Sequence, residues 1–341
     1  VKKILSALLM VGLALVLASC GNSKPKLYVY NWTYYIPQEV ISDFEKSCNC
    51  QVVYDVFASN EEMYAKLKAG SSGYDVVFPS GDFVAIMMKE NMLEKLDLSK
   101  IPNLKDIDPA VLKKETYDLG NQYSVPYMYA AAGIAVNTTY VKDYPRNYHI
   151  FERKDLKGKM TMLDDMREVI GAGLKTSGYS ANSLDPKQLQ QAKELILKWK
   201  PNLVKFDSES FSKGFAAGEF WVVQGYAENI FLDMDPKLAA NVDFFLPDTG
   251  GTAYIDNMVI LKTAKNKELA YQFINFIYEP TEYAKISDYL GIGNISIPAR
   301  QLNKRKLHYT TADLAKTELK ADLGPHLPVY TKLWESIRVQ N

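Results

Sequence analysis

Apolar and polar positions alternate along the chain in a way that divides it into short strands and amphipathic helices. Residues 27–32, Leu-Tyr-Val-Tyr-Asn-Trp, predict a buried strand that runs into a loop. Across residues 36–46, Val40, Ile41 and Phe44 share one helical face, and Pro37 stands at a suitable first helical position. Residues 51–56 predict a second strand. A helix opens at Asn60-Glu61-Glu62 and closes at Gly70. Residues 74–78 predict a third strand, and Pro79-Ser80-Gly81 turns the chain into a helix over residues 83–92. This rhythm, with short connections, is that of an α/β fold with a mainly parallel sheet. Ligands in such folds lie against loops beyond the carboxyl ends of strands. Trp32, Thr33, Ser80 and Asp82 occupy positions of that kind.

Further along, residues 127–137 hold an apolar run whose centre is small, Ala130-Ala131-Ala132-Gly133, which suits a strand crossing between two lobes. Residues 159–163 predict a strand that ends at Asp164-Asp165. A helix over residues 186–199 is opened by Pro186 and closed before Pro201. Residues 220–226 and 253–260 predict two more strands, and residues 267–278 a strongly amphipathic helix. No internal repeat or low-complexity tract stands out.

The first residues follow a different pattern. Val1-Lys2-Lys3 is basic, and residues 4–19 are uncharged and rich in Leu, Val and Ala. That is the organisation of a secretory signal. Its core is too short for a comfortable span, which needs about 20 apolar residues. It ends Leu17-Ala18-Ser19-Cys20-Gly21, the pattern of a bacterial lipobox. In that pattern the Cys20 thiol is acylated and becomes the new N-terminus, anchoring the protein without a transmembrane helix. An ordinary signal peptide followed by an incidental Cys is the plainer alternative. Residues 1–19 are therefore expected to be a signal peptide, and residues 20–26 a lipidated polar tether.

Charge narrows the partners. The formal net charge is zero, and removal of Lys2 and Lys3 leaves 38 basic against 40 acidic residues. With no basic stripe, nucleic acid is excluded as the expected partner. An apolar content of 47% is enough for a real core, so the length suits one or two domains. Besides Cys20 the only cysteines are Cys48 and Cys50. A Cys-x-Cys pair on a strand makes a poor disulfide, because the Cβ vectors point apart. Half a metal site and an outward thiol are functional alternatives, but no His or Cys cluster accompanies them, and a structural role is expected.

Catalytic patterns are mostly absent. His149, His308 and His326 have no ligand spacing, and there is no nucleophile elbow, dinucleotide fingerprint or P-loop. Asp164 or Asp165 with Glu168 suits a glycosidase acid/base pair. The simplest reading of Asp165-x-x-Glu168 is a capping box at a helix start. Elsewhere, aromatic and polar residues recur together near predicted strand ends. Tyr35 follows Trp32-Thr33, Ser80 precedes Asp82, Tyr226 precedes Glu228 and Asn229, and Tyr254 precedes Asp256 by two, on one strand face. Each aromatic taken singly suits a core. Together they suit an elongated aliphatic amine, with rings along its methylenes and acids at its ends.

At these residues the chain resembles the periplasmic polyamine-binding proteins, the spermidine/putrescine-binding components of ATP-driven importers. The likeness covers nearly all of the mature chain. It is most specific at residues 27–33, 74–80, 163–169 and 264–276. It implies a type II periplasmic binding-protein fold, α/β, with two lobes joined by crossover strands and the ligand cleft between them. The implied lobes are residues 27–132 plus 256–303, and residues 133–255 plus 304–341. The implied ligand-binding residues are Trp32, Thr33, Tyr35, Ser80, Asp82, Asp165, Glu168, Tyr226, Asn229, Tyr254 and Asp256. Tyr226 and Tyr254 stand where Trp is usual, Ile292 where Tyr is common, and Asn229, with Glu228 as the alternative, where some members have Asp. The family's late Gln has no evident counterpart.

The resulting expectation is a monomeric, non-enzymatic lipoprotein that hands a polyamine to an ABC permease and its ATPase, held on a bacterial membrane in the periplasmic space. No cofactor and no metal are expected. The rivals are a receptor of the same fold for another small ligand, a lipoprotein glycosidase using Asp165 and Glu168, and an adhesin or sensor that has kept the fold.

Overall fold

The computed structural model describes residues 24–70, 73–232 and 234–340. The signal segment and Cys20 lie outside the described residues. The first lobe opens with β1 (Lys26–Trp32), α1 (Gln38–Cys48), β2 (Gln51–Phe57), α2 (Asn60–Lys68), β3 (Val76–Val77) and α3 (Gly81–Lys89). Helix α1 turns Val40, Ile41 and Phe44 inward and stops at Asn49, whose left-handed backbone (φ 49°) lets its N–H bond the Glu45 and Lys46 carbonyls. That turn overturns one expectation. Cys48 and Cys50 form a disulfide, with Cα atoms 5.2 Å apart. Neither is on a strand: Cys48 ends α1, Cys50 precedes β2, and the turn at Asn49 brings their side chains together.

Strand β3 pairs over only two residues, fewer than residues 74–78 suggested. The flanking Asp75 explains this: it is buried, and its carboxylate accepts from the Tyr28, Lys265 and Asn266 backbone N–H groups. Strands β1, β2 and β3 are parallel, as the helical crossovers require.

The small-residue run over residues 127–137 is two strands. β4 (Val125–Ala131) joins the first sheet, β5 (Gly133–Asn137) the second, and Ala132 is the step between them. Gly133 fits because a Cβ there would come within 2.4 Å of the Phe244 ring.

The second lobe continues with β6 (Met160–Met162), α4 (Met166–Thr176), α5 (Pro186–Trp199), β7 (Leu203–Phe206), β8 (Val222–Gly225), α6 (Ala227–Leu232) and β9 (Val242–Phe245). The chain then re-enters the first sheet as β10 (Thr252–Ile260), followed by α7 (Lys267–Ile277), α8 (Pro280–Leu290) and β11 (Glu318–Leu319). It ends in α9 (Leu327–Val339), whose Tyr330, Trp334 and Ile337 pack into the core of the second lobe.

The first sheet runs β11-β10-β3-β1-β2, with β4 also on β10; the second runs β7-β6-β8-β5-β9. Both are mixed. β10 is antiparallel to β3 and β4, and β5 is antiparallel to β8 and β9, because the crossing segments bring the chain back in the opposite sense. The chain crosses between lobes at Ala132, at residues 246–251 and after β11. Among the described residues no helix is long and apolar enough to cross a membrane.

Candidate functional site

Strand β10 is the spine of the site. Thr252, Tyr254 and Asp256 are two residues apart and therefore share one face, spanning about 13 Å at a strand's rise per residue. Each meets a different acid or hydroxyl, so the face has two acidic ends and an aromatic middle.

Asp256 forms the first end. It is 3% exposed, accepts from the Tyr35 hydroxyl at 2.6 Å, and accepts from the Ser80 hydroxyl at 2.5 Å. Ser80 is itself placed by Asn60, whose amide donates to the Ser80 hydroxyl at 3.1 Å and whose carbonyl accepts from the Ser80 N–H. Tyr35 is fixed from behind, its carbonyl accepting from Tyr127 at 2.6 Å. Glu228, on α6, joins this end: Tyr254 donates to its Oε1 at 2.7 Å, while its buried Oε2 has no hydrogen-bond partner among the described residues. Burial pushes Asp256 up to about 6 despite the hydrogen bonds from Ser80 and Tyr35. Burial likewise pushes Glu228 up to about 7. Two raised acids side by side form a site that gains most from an incoming cation.

Glu168 forms the second end. It is fully buried on α4 and accepts from Thr252, from Lys320 at 2.8 Å and from Tyr226 at 3.4 Å. Asp165 caps the same helix, accepting from the Arg167 and Glu168 N–H groups at 2.8 and 3.0 Å. Only half of the expected capping box therefore forms. Asp165 caps, and the Glu168 carboxylate, instead of returning to the cap, turns to Thr252, Lys320 and Tyr226. Asp82, half-buried in the first turn of α3, is raised by burial, with Lys320 and Arg167 drawing it back down. Between the ends, the rings of Tyr226 and Tyr254 meet edge to face at 5.7 Å. Both hydroxyls titrate far above their ordinary range, chiefly through burial, so both remain donors.

The expected residues are thus largely brought together; Asn229, Trp32 and Thr33 are the ones that differ. Asn229 is exposed, whereas its neighbour Glu228 is buried against Tyr254. Adjacent residues on a helix point about 100° apart, so only one of the two faces the site. Trp32 is half-buried, with its indole N–H donating to the Phe78 carbonyl at 2.9 Å and its ring 4.6 Å from Phe57. Thr33 is exposed in the turn that delivers Tyr35. Ile292 is in the core. Thr252 and Lys320 also belong to the site. Thr252 had a readable signal, the same strand face as Tyr254 and Asp256. Lys320 had none, because only the pairing of β11 with β10 places it there.

A family model for bacterial extracellular solute-binding proteins matches residues 39–306. The putrescine/cadaverine-binding protein of Pseudomonas aeruginosa is 34% identical, with 99% of each chain covered. The spermidine/putrescine-binding periplasmic protein of Escherichia coli is 32% identical, with 94% of each covered. Among solved structures, the Tp0655 (TpPotD) lipoprotein of Treponema pallidum superposes with a TM-score of 0.90 at 46% identity, covering 92% of this chain and all of that one.

Proposed function

This chain belongs to the family of bacterial extracellular solute-binding proteins, and from that premise we propose that it captures a polyamine between its lobes and delivers it to the permease and ATPase of an ABC importer. The observation that carries this reading is the gathering of buried acids and tyrosines along one face of β10. Asp256 and Glu228 lie at one end, Glu168 at the other, and Tyr226 and Tyr254 between them. Ammonium groups pair with the acids, and the rings cover the methylenes. Asp256 with Glu228 takes one terminal ammonium. Asp165, Asp82 and Glu168 set the potential at the far end, while Trp32, Thr33, Tyr35 and Ser80 shape the near wall. An anionic ligand would meet the same acids as a repulsive surface, and a glycosidase would need Asp165 and Glu168 free, whereas both are engaged.

The lobe built on β1–β4, β10 and β11 and the lobe built on β5–β9 close on the ligand, so the expected boundaries at 255/256 and 303/304 move to residues 246–251 and to the segment after β11, because all of β10 and β11 pair within the first sheet. Cys20 carries the lipid, and the tether holds the monomeric, non-catalytic receptor near the permease, which raises its effective concentration there. Calorimetric titration with putrescine, cadaverine, spermidine and spermine tests the reading. Saturable binding of at least one is expected. No binding of any amine, with turnover of a glycoside or capture of an anion instead, overturns it.

A further inference from the structure

The Glu168 end of the cleft already holds an ammonium group, and it belongs to the protein. Lys320 Nζ is 2.8 Å from Glu168 Oε1, with the two side chains 15% and 0% exposed. The Tyr254 ring lies beneath it, 5.6 Å from Nζ to the ring centroid. The charges of Asp165 and Asp82 also act on it. Carboxylate on one side and aromatic face on the other is the environment the cleft offers an amine ligand. The backbone fixes this placement. Glu318 and Leu319 pair with Thr252 and Ala253, and the Lys320 N–H donates to the Ala253 carbonyl at 3.0 Å. Lys320 therefore arrives beside Tyr254, at the start of the last crossing between lobes.

We propose that Lys320 is a built-in counter-ion that occupies the Glu168 subsite and makes the cleft select a diamine over a triamine. The inference rests on the polyamine reading. A diamine places one ammonium at Asp256 and Glu228 and needs only the charge that Asp165 and Asp82 leave over. A triamine brings one ammonium more. It must either set that group against the Lys320 ammonium or drive Lys320 out of a buried ion pair, and each alternative is costly. Mere neutralisation of Glu168 for stability would not discriminate between the two ligands. Selection by charge does.

The test is the ratio of dissociation constants for spermidine and putrescine, measured by calorimetry on the whole mature protein. The unaltered protein is expected to prefer putrescine. Lys320→Gln removes the charge while an amide N–H still reaches towards Glu168, and it should shift the ratio towards spermidine by about tenfold or more, the scale of one charged hydrogen bond. Lys320→Arg keeps the charge and should leave the preference for the diamine in place. A ratio unchanged in Lys320→Gln, equal loss of both amines by a variant whose circular dichroism is native, or a spermidine preference in the unaltered protein overturns the proposal while leaving the polyamine reading intact. Failure of every amine to bind the unaltered protein overturns the polyamine reading itself, and this proposal with it.

Discussion

Tyr35 and Asp256, 221 positions apart in the chain, meet in a buried hydrogen bond of 2.6 Å from phenol to carboxylate. The Ser80 hydroxyl takes the other oxygen, so the carboxylate is aimed from two sides. Asp256→Ala removes the charge and strands both hydroxyls. Amine affinity should fall by roughly ten- to a hundredfold, since hydrogen bonds to charged groups contribute about 1.5–3 kcal/mol. Tyr35→Phe removes one donor and leaves the charge, and its loss should be smaller. Calorimetry on both variants checks this, and near-unchanged affinity in Asp256→Ala sinks the assignment of Asp256 to the ligand.

The same acids make binding depend on pH. Burial holds Asp256 at about 6 and Glu228 at about 7, and an ammonium ligand favours their charged forms. Affinity should rise from pH 5 to 8, and protons should be released on binding near pH 6. Titrations in buffers of different ionisation heat detect that release; identical heats in all of them count against it. Stability of the unliganded protein runs the other way. Both folded-state values lie above the ordinary carboxylate range, so the native state holds more protons than the unfolded chain between about pH 4 and 7. The contribution of these groups is full below pH 4 and is lost as pH rises to 6 for Asp256 and 7 for Glu228. Each loss is roughly 3 kcal/mol, from 1.36 kcal/mol per pKa unit. Asp256→Asn should flatten its share of the slope in denaturation midpoints measured across that window.

Much of this was legible from local pattern. Pro186 opens α5 and the helix ends before Pro201, because a missing N–H and a fixed φ act on their own neighbours. Asp256 and Tyr254 were legible because strand alternation fixes their shared face. What was not legible depended on chain reversals. The choice between Asn229 and Glu228 turns on helix phase, which a six-residue helix in mixed polarity does not declare. The Cys48–Cys50 pairing depends on one left-handed residue between them. Lys320 depends on a two-residue strand pairing 66 residues away from Tyr254.

The disulfide should matter to stability and not to binding. It closes a three-residue loop, for which chain entropy predicts about 1.5 kcal/mol. It sits where α1 meets β2, with Cys50 in the core of the first lobe and neither cysteine among the site residues. Cys48→Ser with Cys50→Ser should lower the unfolding free energy measured in urea by that amount. Reductant should do the same to the unaltered protein and nothing to the variant. Polyamine affinity should be equal in all three cases, and a large loss of affinity would mean that the turn at Asn49 positions the cleft.

Gly171 links the core of α4 to the acid cage, and it supplies the sharpest test of how that cage is held. In the middle of a helix, Gly→Ala ordinarily stabilises by about 1 kcal/mol. Here an added Cβ would lie 2.3 Å from Thr252 Cγ2, and Thr252 is the residue whose hydroxyl donates to Glu168. The clash must move either α4 or the start of β10, and overpacking of this kind costs about 1–3 kcal/mol. Gly171→Ala should therefore lose the usual helix gain and end up destabilised by up to about 2 kcal/mol, together with weaker amine binding as Thr252 leaves Glu168. Thr252→Ser keeps the hydroxyl and deletes the clashing methyl. In the double variant Gly171→Ala/Thr252→Ser, both stability and affinity should recover, giving a coupling energy of opposite sign to the single losses. Additive losses in the double variant would show that the two residues do not act through this contact, and that Glu168 is positioned by Lys320 and Tyr226 alone.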